Sequence, residues 1–274
     1  MKINYKYFTA FSLILLSILG LFWSSVIINA SDLKNTPIYE KNKINYSFSK
    51  SKSKLEKQVY NTKELRTEQY CWCSYDEKKN ISNNCWFDSE KDSQRAKKIE
   101  WEHVVPAENF WKNFKEWRDW NKNCVDSKGK SFKGRSCAEK MNKEYQLMQS
   151  DVYNLIPAIW ELNAIRSNHS YAEIIGEEKE FWTCDFEVQK VKLNKTTTVS
   201  IEPPNNIKGD VARIYRYMDK TYWFKLISDK NKKIFEAWEK IDPVDKKECE
   251  IYKLKKKIQN NKMFILEEAC KTIK

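Results

Sequence analysis

The chain has 274 residues, and its 50 Lys and Arg residues against 38 Asp and Glu residues give a formal net charge of +12. With only five glycines, and without any G-x-x-x-x-G-K-[ST] or G-x-G-x-x-G run, the sequence excludes the usual phosphate-binding loops, so we expect no nucleotide cofactor. The basic balance favours polyanionic partners such as nucleic acids, although only seven basic residues are arginine and a general bias toward lysine would produce the same charge.

The N-terminal segment has the pattern of an export signal. Lys2 and Lys6 form a basic start, residues 8–28 are almost wholly apolar, and small residues follow at 29–31. This pattern predicts a signal peptide over residues 1–30. The apolar stretch is long enough to span a bilayer, so an uncleaved N-terminal anchor is the alternative. In either case we expect the rest of the chain to be exported, as a periplasmic or secreted protein.

Hydrophobic spacing predicts a mostly helical domain with a small sheet, preceded by a polar linker over residues 31–46. Pro157 lies early in the segment over residues 150–162, which is predicted to be a helix, and proline is tolerated near the start of a helix. The other predicted elements are a serine-capped helix over 47–60, a strand over 98–105, a helix over 108–120, a polar loop over 121–137, two strands with a Lys/Thr turn within 181–201, and helices over 207–218, over 230–241 and in the C-terminal part up to residue 269.

Eight cysteines, an even number, follow the predicted signal peptide, and an exported chain is expected to pair them as disulfides. A zinc site is the alternative, but the sequence has no C-x-x-C pair and only two distant histidines, His103 and His169. Sequence alone leaves the connectivity open. Short loops favour Cys124–Cys137 and Cys249–Cys270, and our assignment for the remaining four is Cys73–Cys85 with Cys71–Cys184.

His103 is the first candidate for chemistry, because histidine is the side chain whose ordinary pKa lies nearest neutral pH. Glu102 precedes it, and the apolar run Val104-Val105-Pro106 follows it, so a short strand would present a base beside a possible metal ligand. Neighbours on a regular strand face opposite ways, so both could reach one phosphate only where the strand ends or twists. Taken alone, Glu102 is also explained as a surface acid and His103 as a packed histidine.

Asn154 is the second candidate. It lies in the apolar run from Asp151 to Pro157, where burying an amide is costly unless its polar atoms are used. A helix cap or a buried hydrogen bond would explain Asn154 taken alone. Its combination with Glu102 and His103 indicates a site.

Together these motifs resemble the bacterial endonuclease I family, a group of exported ββα-metal nucleases related to the wider HNH group. The resemblance extends in order from Ser47 to Cys270. It implies an α+β, mostly helical, disulfide-stapled single domain over residues 47–274, built around a ββα-metal (His-Me finger) core. The runs that carry it include Ser47-Phe48-Ser49, Tyr70-Cys71-Trp72-Cys73, Glu100-Trp101-Glu102-His103-Val104-Val105-Pro106-Ala107, Gly134-Arg135-Ser136-Cys137, Asp151-Val152-Tyr153-Asn154-Leu155-Ile156-Pro157, Glu161-Leu162-Asn163 and Glu202-Pro203-Pro204.

The resemblance also implies roles for individual residues. Glu102 and Asn154 are expected to bind one divalent cation, Mg²⁺ with Mn²⁺ or Ca²⁺ as possible substitutes, and His103 is expected to be the general base. Arg135 is expected to hold the scissile phosphate. Lys133 is its alternative, since the loop is longer and richer in lysine than is usual for the family. Supporting or substrate-binding roles are expected for Asn163, Arg166 and Asn168, and none for His169.

The expected activity is Mg²⁺-dependent, sequence-non-specific hydrolysis of DNA, and of RNA as well, to products that carry a 5′-phosphate. Such an enzyme would bind its substrate through the phosphate backbone, and we expect it to be a monomer. One alternative is a catalytically inactive, membrane-tethered nucleic-acid-binding protein on the same fold. Another is a disulfide-stapled adhesin with incidental basic charge. The joint presence of Glu102, His103 and Asn154 favours the enzyme.

Overall fold

The computed structural model describes residues 47–82, 85, 87, 89, 93–176, 184–259 and 261–273. These residues belong to one unit that runs from residue 41 to residue 274. The predicted signal peptide or anchor and the predicted linker lie outside the described residues. Across the described ranges, no helix combines the length and the apolar character that crossing a membrane requires.

Helices and strands are mixed along the chain, which confirms the α+β composition. The first half contains α1 (Phe48–Lys54) with a π-helical turn (Leu55–Val59), β1 (Ile99–His103), a 3-10 segment (Ala107–Asn113), α2 (Lys115–Arg118), α3 (Arg135–Met141) and α4 (Lys143–Gln149). The second half contains a 3-10 turn (Val152–Asn154), β2 (Leu155–Ile159), α5 (Trp160–Arg166), β3 (Ser170–Tyr171), β4 (Glu187–Leu193), β5 (Thr196–Glu202), a 3-10 turn (Asn205–Ile207), α6 (Lys208–Tyr222), α7 (Asp229–Ile241), α8 (Lys246–Ile258) and α9 (Phe264–Ala269).

Strands β1 and β2 form an antiparallel pair in which His103 lies opposite Leu155. Helix α5 begins directly after β2 and packs against both strands. The prediction of one helix over residues 150–162 is therefore wrong for residues 155–159. All five of these residues are buried, and an apolar run buried on both faces has no periodicity that separates a strand from a helix.

Pro157 lies in the middle of β2, opposite Trp101, and not in the first turn of a helix. Its carbonyl oxygen accepts a hydrogen bond from the backbone N–H of Gln69 at 3.2 Å, on the side of β2 that faces away from β1. In an antiparallel strand the N–H and C=O of one residue point to the same side. The donor that proline lacks is therefore missing only from the outer edge of β2, where it costs no ladder hydrogen bond.

A second sheet has the strand order β3-β5-β4, with β3 parallel and β4 antiparallel to β5. The hairpin of β4 and β5 confirms the two strands and the turn predicted within residues 181–201, of which 181–183 lie outside the described residues. Asn194 in the turn has a φ of 55°, a left-handed conformation that asparagine tolerates better than most residues. The base of the hairpin is buried, whereas residues 189–198 are exposed.

The N-terminal helix agrees with its prediction, since the Oγ of Ser47 accepts a hydrogen bond from the backbone N–H of Lys50 at 3.4 Å and the helical stretch continues to Val59. Helices α6, α7, α8 and α9 confirm the helical C-terminal half. The helix predicted over residues 108–120 is instead divided between a 3-10 segment and the short α2. The predicted loop up to residue 137 ends earlier, because α3 begins at Arg135.

All eight cysteines form disulfides, so none of them offers a free thiolate for zinc. The chain is therefore stapled at four places, and each pair agrees with the assignment made from the sequence. One staple joins the segment that follows Tyr70 to the segment that precedes β4. The pairs are Cys71–Cys184, Cys73–Cys85, Cys124–Cys137 and Cys249–Cys270.

Candidate active site

Glu102 lies near the end of β1, and its side chain is 2 % exposed. Its Oε1 atom accepts a hydrogen bond from the hydroxyl of Tyr70 at 2.8 Å and a longer one from Tyr171 at 3.5 Å. Nε of Arg166 lies 3.3 Å from the same oxygen. Two hydroxyl groups and a guanidinium nitrogen, from separate parts of the chain, therefore surround one carboxylate oxygen.

The other oxygen of this carboxylate, Oε2 of Glu102, is buried and has no hydrogen-bond partner among the residues that the structure describes. Buried polar atoms in folded proteins are almost always partnered. Burial raises the pKa of Glu102 to about 7, even though Arg166 acts in the opposite direction. A carboxylate held by one oxygen, with the second oxygen unused, has the donor chemistry that hard divalent cations prefer.

Arg166, at the end of α5, is fully buried. It donates hydrogen bonds to the carbonyl oxygen of Val104 and, at 3.0 Å, to that of Ser167. Its guanidinium carbon lies 4.5 Å from the ring centroid of Tyr171, and the hydroxyl of that tyrosine is 2.7 Å from the hydroxyl of Tyr70. Arg166 thus joins the end of β1 to β3 while it neutralises Glu102.

His103 is the last residue of β1 and points away from Glu102, as alternation along a strand requires. Its Nε2 atom lies 2.8 Å from the backbone carbonyl oxygen of Gln149. A carbonyl can only accept, so we assign the proton to Nε2, which leaves Nδ1 as the basic atom. Burial, and secondarily the charge of Arg135, lower the pKa of His103 to about 3. The imidazole is therefore neutral at pH 7, and its Nδ1 lone pair is unprotonated.

Two cations lie close to His103. The ring of Phe48 is 4.7 Å from the imidazole, centroid to centroid. The Nζ atom of Lys52 is 4.6 Å, and the guanidinium carbon of Arg135 5.6 Å, from the centroid of Phe48. This arrangement offers an anion two positive charges beside a neutral base. Lys52 is not among the residues predicted from the sequence, although its spacing of four residues from Phe48 on the predicted helix indicates a shared face.

Asn154 is fully buried in the 3-10 turn before β2. Its Oδ1 accepts from the backbone N–H of Val105 at 2.8 Å, and its Nδ2 donates to the carbonyl of Val105 at 2.9 Å. The backbone N–H of Val104 adds a bond to the carbonyl of Asn154 at 3.0 Å. These bonds hold the turn that follows β1, directly after Glu102 and His103.

The remaining predicted site residues occupy different positions. Asn163 lies on α5 one turn before Arg166, is partly exposed, and makes no side-chain hydrogen bond within the described ranges. Asn168 is exposed between α5 and β3, without a described contact to Glu102 or His103. Of the two alternatives for the phosphate ligand, Arg135 is brought near His103 through Phe48, whereas Lys133 is exposed and no described contact brings it there.

The site combines a neutral imidazole, a buried carboxylate with a free oxygen, and two cations near the base. Such groups are suited to hydrolysis of an anionic ester, because the base can activate water while the positive charges bind the anion. Tyr70, Tyr171 and Gln149 complete the arrangement. The sequence predicts no role for these three residues, since each acts through a contact distant in sequence.

Comparisons with known proteins agree with this class of site. The profile of the family described as Endonuclease I matches residues 28–268. The chain is 36 % identical over 206 residues to Endonuclease-1 of Buchnera aphidicola subsp. Acyrthosiphon pisum, covering 73 % of this chain and 74 % of that protein. It is 32 % identical over 210 residues to a periplasmic deoxyribonuclease of Aeromonas hydrophila, covering 73 % and 78 %. It is also 32 % identical over 207 residues to an extracellular deoxyribonuclease of the same organism, covering 73 % and 80 %.

The protein is therefore a hydrolase of the nuclease class. More particularly, the chain belongs to the endonuclease I family. The resemblance inferred from the motifs around His103 and Asn154 is thereby confirmed.

Proposed function

We propose that the protein is an exported, sequence-non-specific endonuclease that hydrolyses phosphodiester bonds of DNA, and of RNA as well. The observation that carries the proposal is that adjacent residues supply a neutral imidazole with Nδ1 available, on His103, and a buried carboxylate with Oε2 unused, on Glu102. The names of the periplasmic and extracellular deoxyribonuclease relatives support both export and the choice of DNA. The net charge of +12 suits binding to the phosphate backbone, which carries no sequence information.

A single Mg²⁺ ion, replaceable by Mn²⁺ or Ca²⁺, is the proposed cofactor. The unused Oε2 of Glu102 fits a hard cation that takes few protein ligands and keeps several waters. When bound, the cation would stabilise negative charge on the phosphate and on the leaving 3′ oxygen.

The second protein ligand is proposed to be an asparagine amide. Asn154 was the choice from the sequence, but Val105 already uses one lone pair of its Oδ1. Asn163 is the stronger choice. It lies one turn from Arg166, so both side chains share the face of α5 that reaches Glu102. In this proposal β1, β2 and α5 are the ββα-metal core, and Asn154 holds the turn that ends β1.

The chemistry follows from the tautomer of His103. The carbonyl of Gln149 keeps the proton on Nε2, and Nδ1 takes a proton from the attacking water. Arg135 and Lys52 hold phosphate oxygens beside the base. Attack at phosphorus breaks the bond to the 3′ oxygen, which takes up a proton from solvent water, so the products carry a 5′-phosphate and a 3′-hydroxyl. We place this activity in a monomer, within residues 47–274, after removal of a signal peptide over 1–30. Asn168 is proposed to act as a support on the substrate side.

The test is degradation of plasmid DNA and of RNA by the exported, oxidised protein and by His103→Ala, each with Mg²⁺ and with EDTA. We expect wild type to cut both substrates with Mg²⁺ only, and His103→Ala to lose at least about 100-fold in rate. Binding without cutting would instead support an inactive nucleic-acid-binding protein. Cutting that survives His103→Ala would remove this residue from the role of base.

A further inference from the structure

The hairpin of β4 and β5 projects as an arm. Every residue from 189 to 198 is exposed, on both faces of the hairpin, so its outer half packs against nothing that the structure describes. An isolated two-stranded hairpin is only marginally stable in water. An arm of this kind contributes little to the core, and its surface is available to a partner.

The arm is uniformly basic. Between Glu187 and Glu202 at its base, the only ionisable residues are Lys190, Lys192 and Lys195. No ion pair joins these three lysines to an acid within the described part of the chain. Within the described ranges their charges are therefore left without an acidic partner, and they match a polyanion.

Two of these lysines share a sheet face with the active site. Residues paired across strands point to the same side, so Tyr171, Ile201 and Val188 form one row on that face. Alternation along β4 places Lys190 and Lys192 on the same face, farther out along the arm. The hydroxyl of Tyr171, in that row, is 3.5 Å from Glu102.

The spacing suits a nucleic-acid strand. Lys190 and Lys192 lie about 7 and about 13 Å beyond the row of Tyr171, at about 3.3 Å per residue. Their separation of about 7 Å corresponds to about two nucleotides of rise at 3.4 Å each. The apolar Val191 and Leu193, which are 41 % and 67 % exposed, point to the opposite face.

We propose that the β4–β5 arm is a second, sequence-independent phosphate-binding surface, on which Lys190 and Lys192 contact the DNA backbone away from the scissile phosphate. Lys195 adds charge at the turn. This inference rests on the proposed function. Binding of an anionic membrane through Val191 and Leu193 is the competing outcome of the test, and it would use the opposite face.

The experiment measures how the affinity for a 20-base-pair duplex depends on salt, by fluorescence anisotropy in EDTA. The full chain, exported and purified, carries His103→Ala so that it binds without cutting. We compare this protein with three further variants in the same background. They are K190Q/K192Q; a charge-matched control on α7, K230Q/K232Q; and a face-swapped variant, K190Q/K192Q/V191K/L193K, which restores the charge on the opposite face. The positions substituted on the hairpin and on α7 are all exposed, so we expect each variant to fold as well as the His103→Ala protein.

Each phosphate contact contributes about 0.9 to the slope of log affinity against log salt concentration, so K190Q/K192Q should reduce the slope by about 2. The α7 control should leave the slope unchanged, and the face-swapped variant should not restore it. Equal slopes for all variants, or recovery in the face-swapped variant, would overturn the proposal. Binding to vesicles containing phosphatidylglycerol that requires Val191 and Leu193, with unchanged DNA slopes, would assign the arm to membranes. Failure of the proposed function is distinct, because wild type would then not cut plasmid at all.

Discussion

Nε of Arg166 lies 3.3 Å from Oε1 of Glu102, and both side chains are withdrawn from solvent, at 0 % and 2 % exposure. The two residues come from α5 and β1, and they lie more than sixty positions apart in the sequence. Removing one member of a buried ion pair is strongly destabilising, because the charge that remains is buried without a partner and without water. The pair therefore determines both the charge of the proposed cation ligand and the stability of the site.

Replacing Arg166 with methionine should destabilise the protein. With Glu102 left buried and unpaired, we expect a loss of about 3–5 kcal/mol in the free energy of unfolding. The measurement is urea denaturation at pH 8, above the pKa of Glu102. Arg118→Met is the matched control, because Arg118 is about half exposed and should change stability by less than about 0.5 kcal/mol. Equal losses in the two variants would contradict the assigned role of the pair.

Cation affinity should depend on the ionisation of Glu102. The pKa of this residue is raised to about 7 by burial, and only the charged form binds a cation well, so affinity should fall about tenfold per pH unit below pH 7. Calorimetric titration with Mn²⁺ at pH 6 and pH 8 measures this change in affinity. We expect binding of Mn²⁺ to release nearly one proton at pH 6 and almost none at pH 8. Glu102→Gln should abolish the binding. The same affinity at both pH values would show that Glu102 is not the ligand.

The fall in activity toward low pH, which is the acidic limb of the activity profile, should also reflect protonation of Glu102. Because the pKa of His103 is lowered to about 3, its protonation should not limit the rate between pH 5 and pH 8. The limb should lie near pH 7 at low Mg²⁺ and move to lower pH as Mg²⁺ is raised, since the cation competes with the proton on Glu102. Rates of plasmid cleavage across this range test the prediction. A limb that stays at the same pH for all Mg²⁺ concentrations would count against it.

Substitution of Asn154 should lower the stability of the protein, whereas substitution of Asn163 should lower its affinity for the cation. Asn154→Ala should destabilise the fold, because the backbone N–H and C=O of Val105 would each lose a buried partner, at about 1–3 kcal/mol for each group. Asn163→Ala should keep its thermal midpoint but bind Mn²⁺ less tightly. Thermal denaturation together with calorimetry distinguishes the two effects. A stable Asn154→Ala protein that has lost cation binding would restore Asn154 as the ligand.

Lys52→Gln should reduce kcat/KM for plasmid cleavage by about tenfold, the value of one charge-assisted hydrogen bond to phosphate. Lys50→Gln is the control, since Lys50 lies exposed on the same helix. Lys52→Arg should recover most of the activity, because it retains the charge. If Lys50→Gln and Lys52→Gln behaved alike, the proximity of Lys52 to Phe48 and His103 would have no role in binding substrate.

Local sequence patterns predicted much of the framework. The cap at Ser47, the hairpin of β4 and β5, and the disulfides Cys124–Cys137 and Cys249–Cys270 each depend on residues close in sequence. The run around Glu102 and His103 likewise predicted a cation ligand and a base at adjacent positions, and these two roles stay predictions.

The sequence by itself determined which chemical groups are available, since a motif contains its own residues and their spacing. Only the tertiary structure decided the hydrogen-bond partners, the burial and the protonation of those groups. Tyr70 and Arg166 reach Glu102 from distant segments, and Gln149 selects the tautomer of His103. Likewise β2 became a strand because β1 pairs with it, although its apolar residues alone fit a helix equally well. Burial and long-range pairing are properties of the packed chain, and they determine the pKa values and free lone pairs of the proposed mechanism.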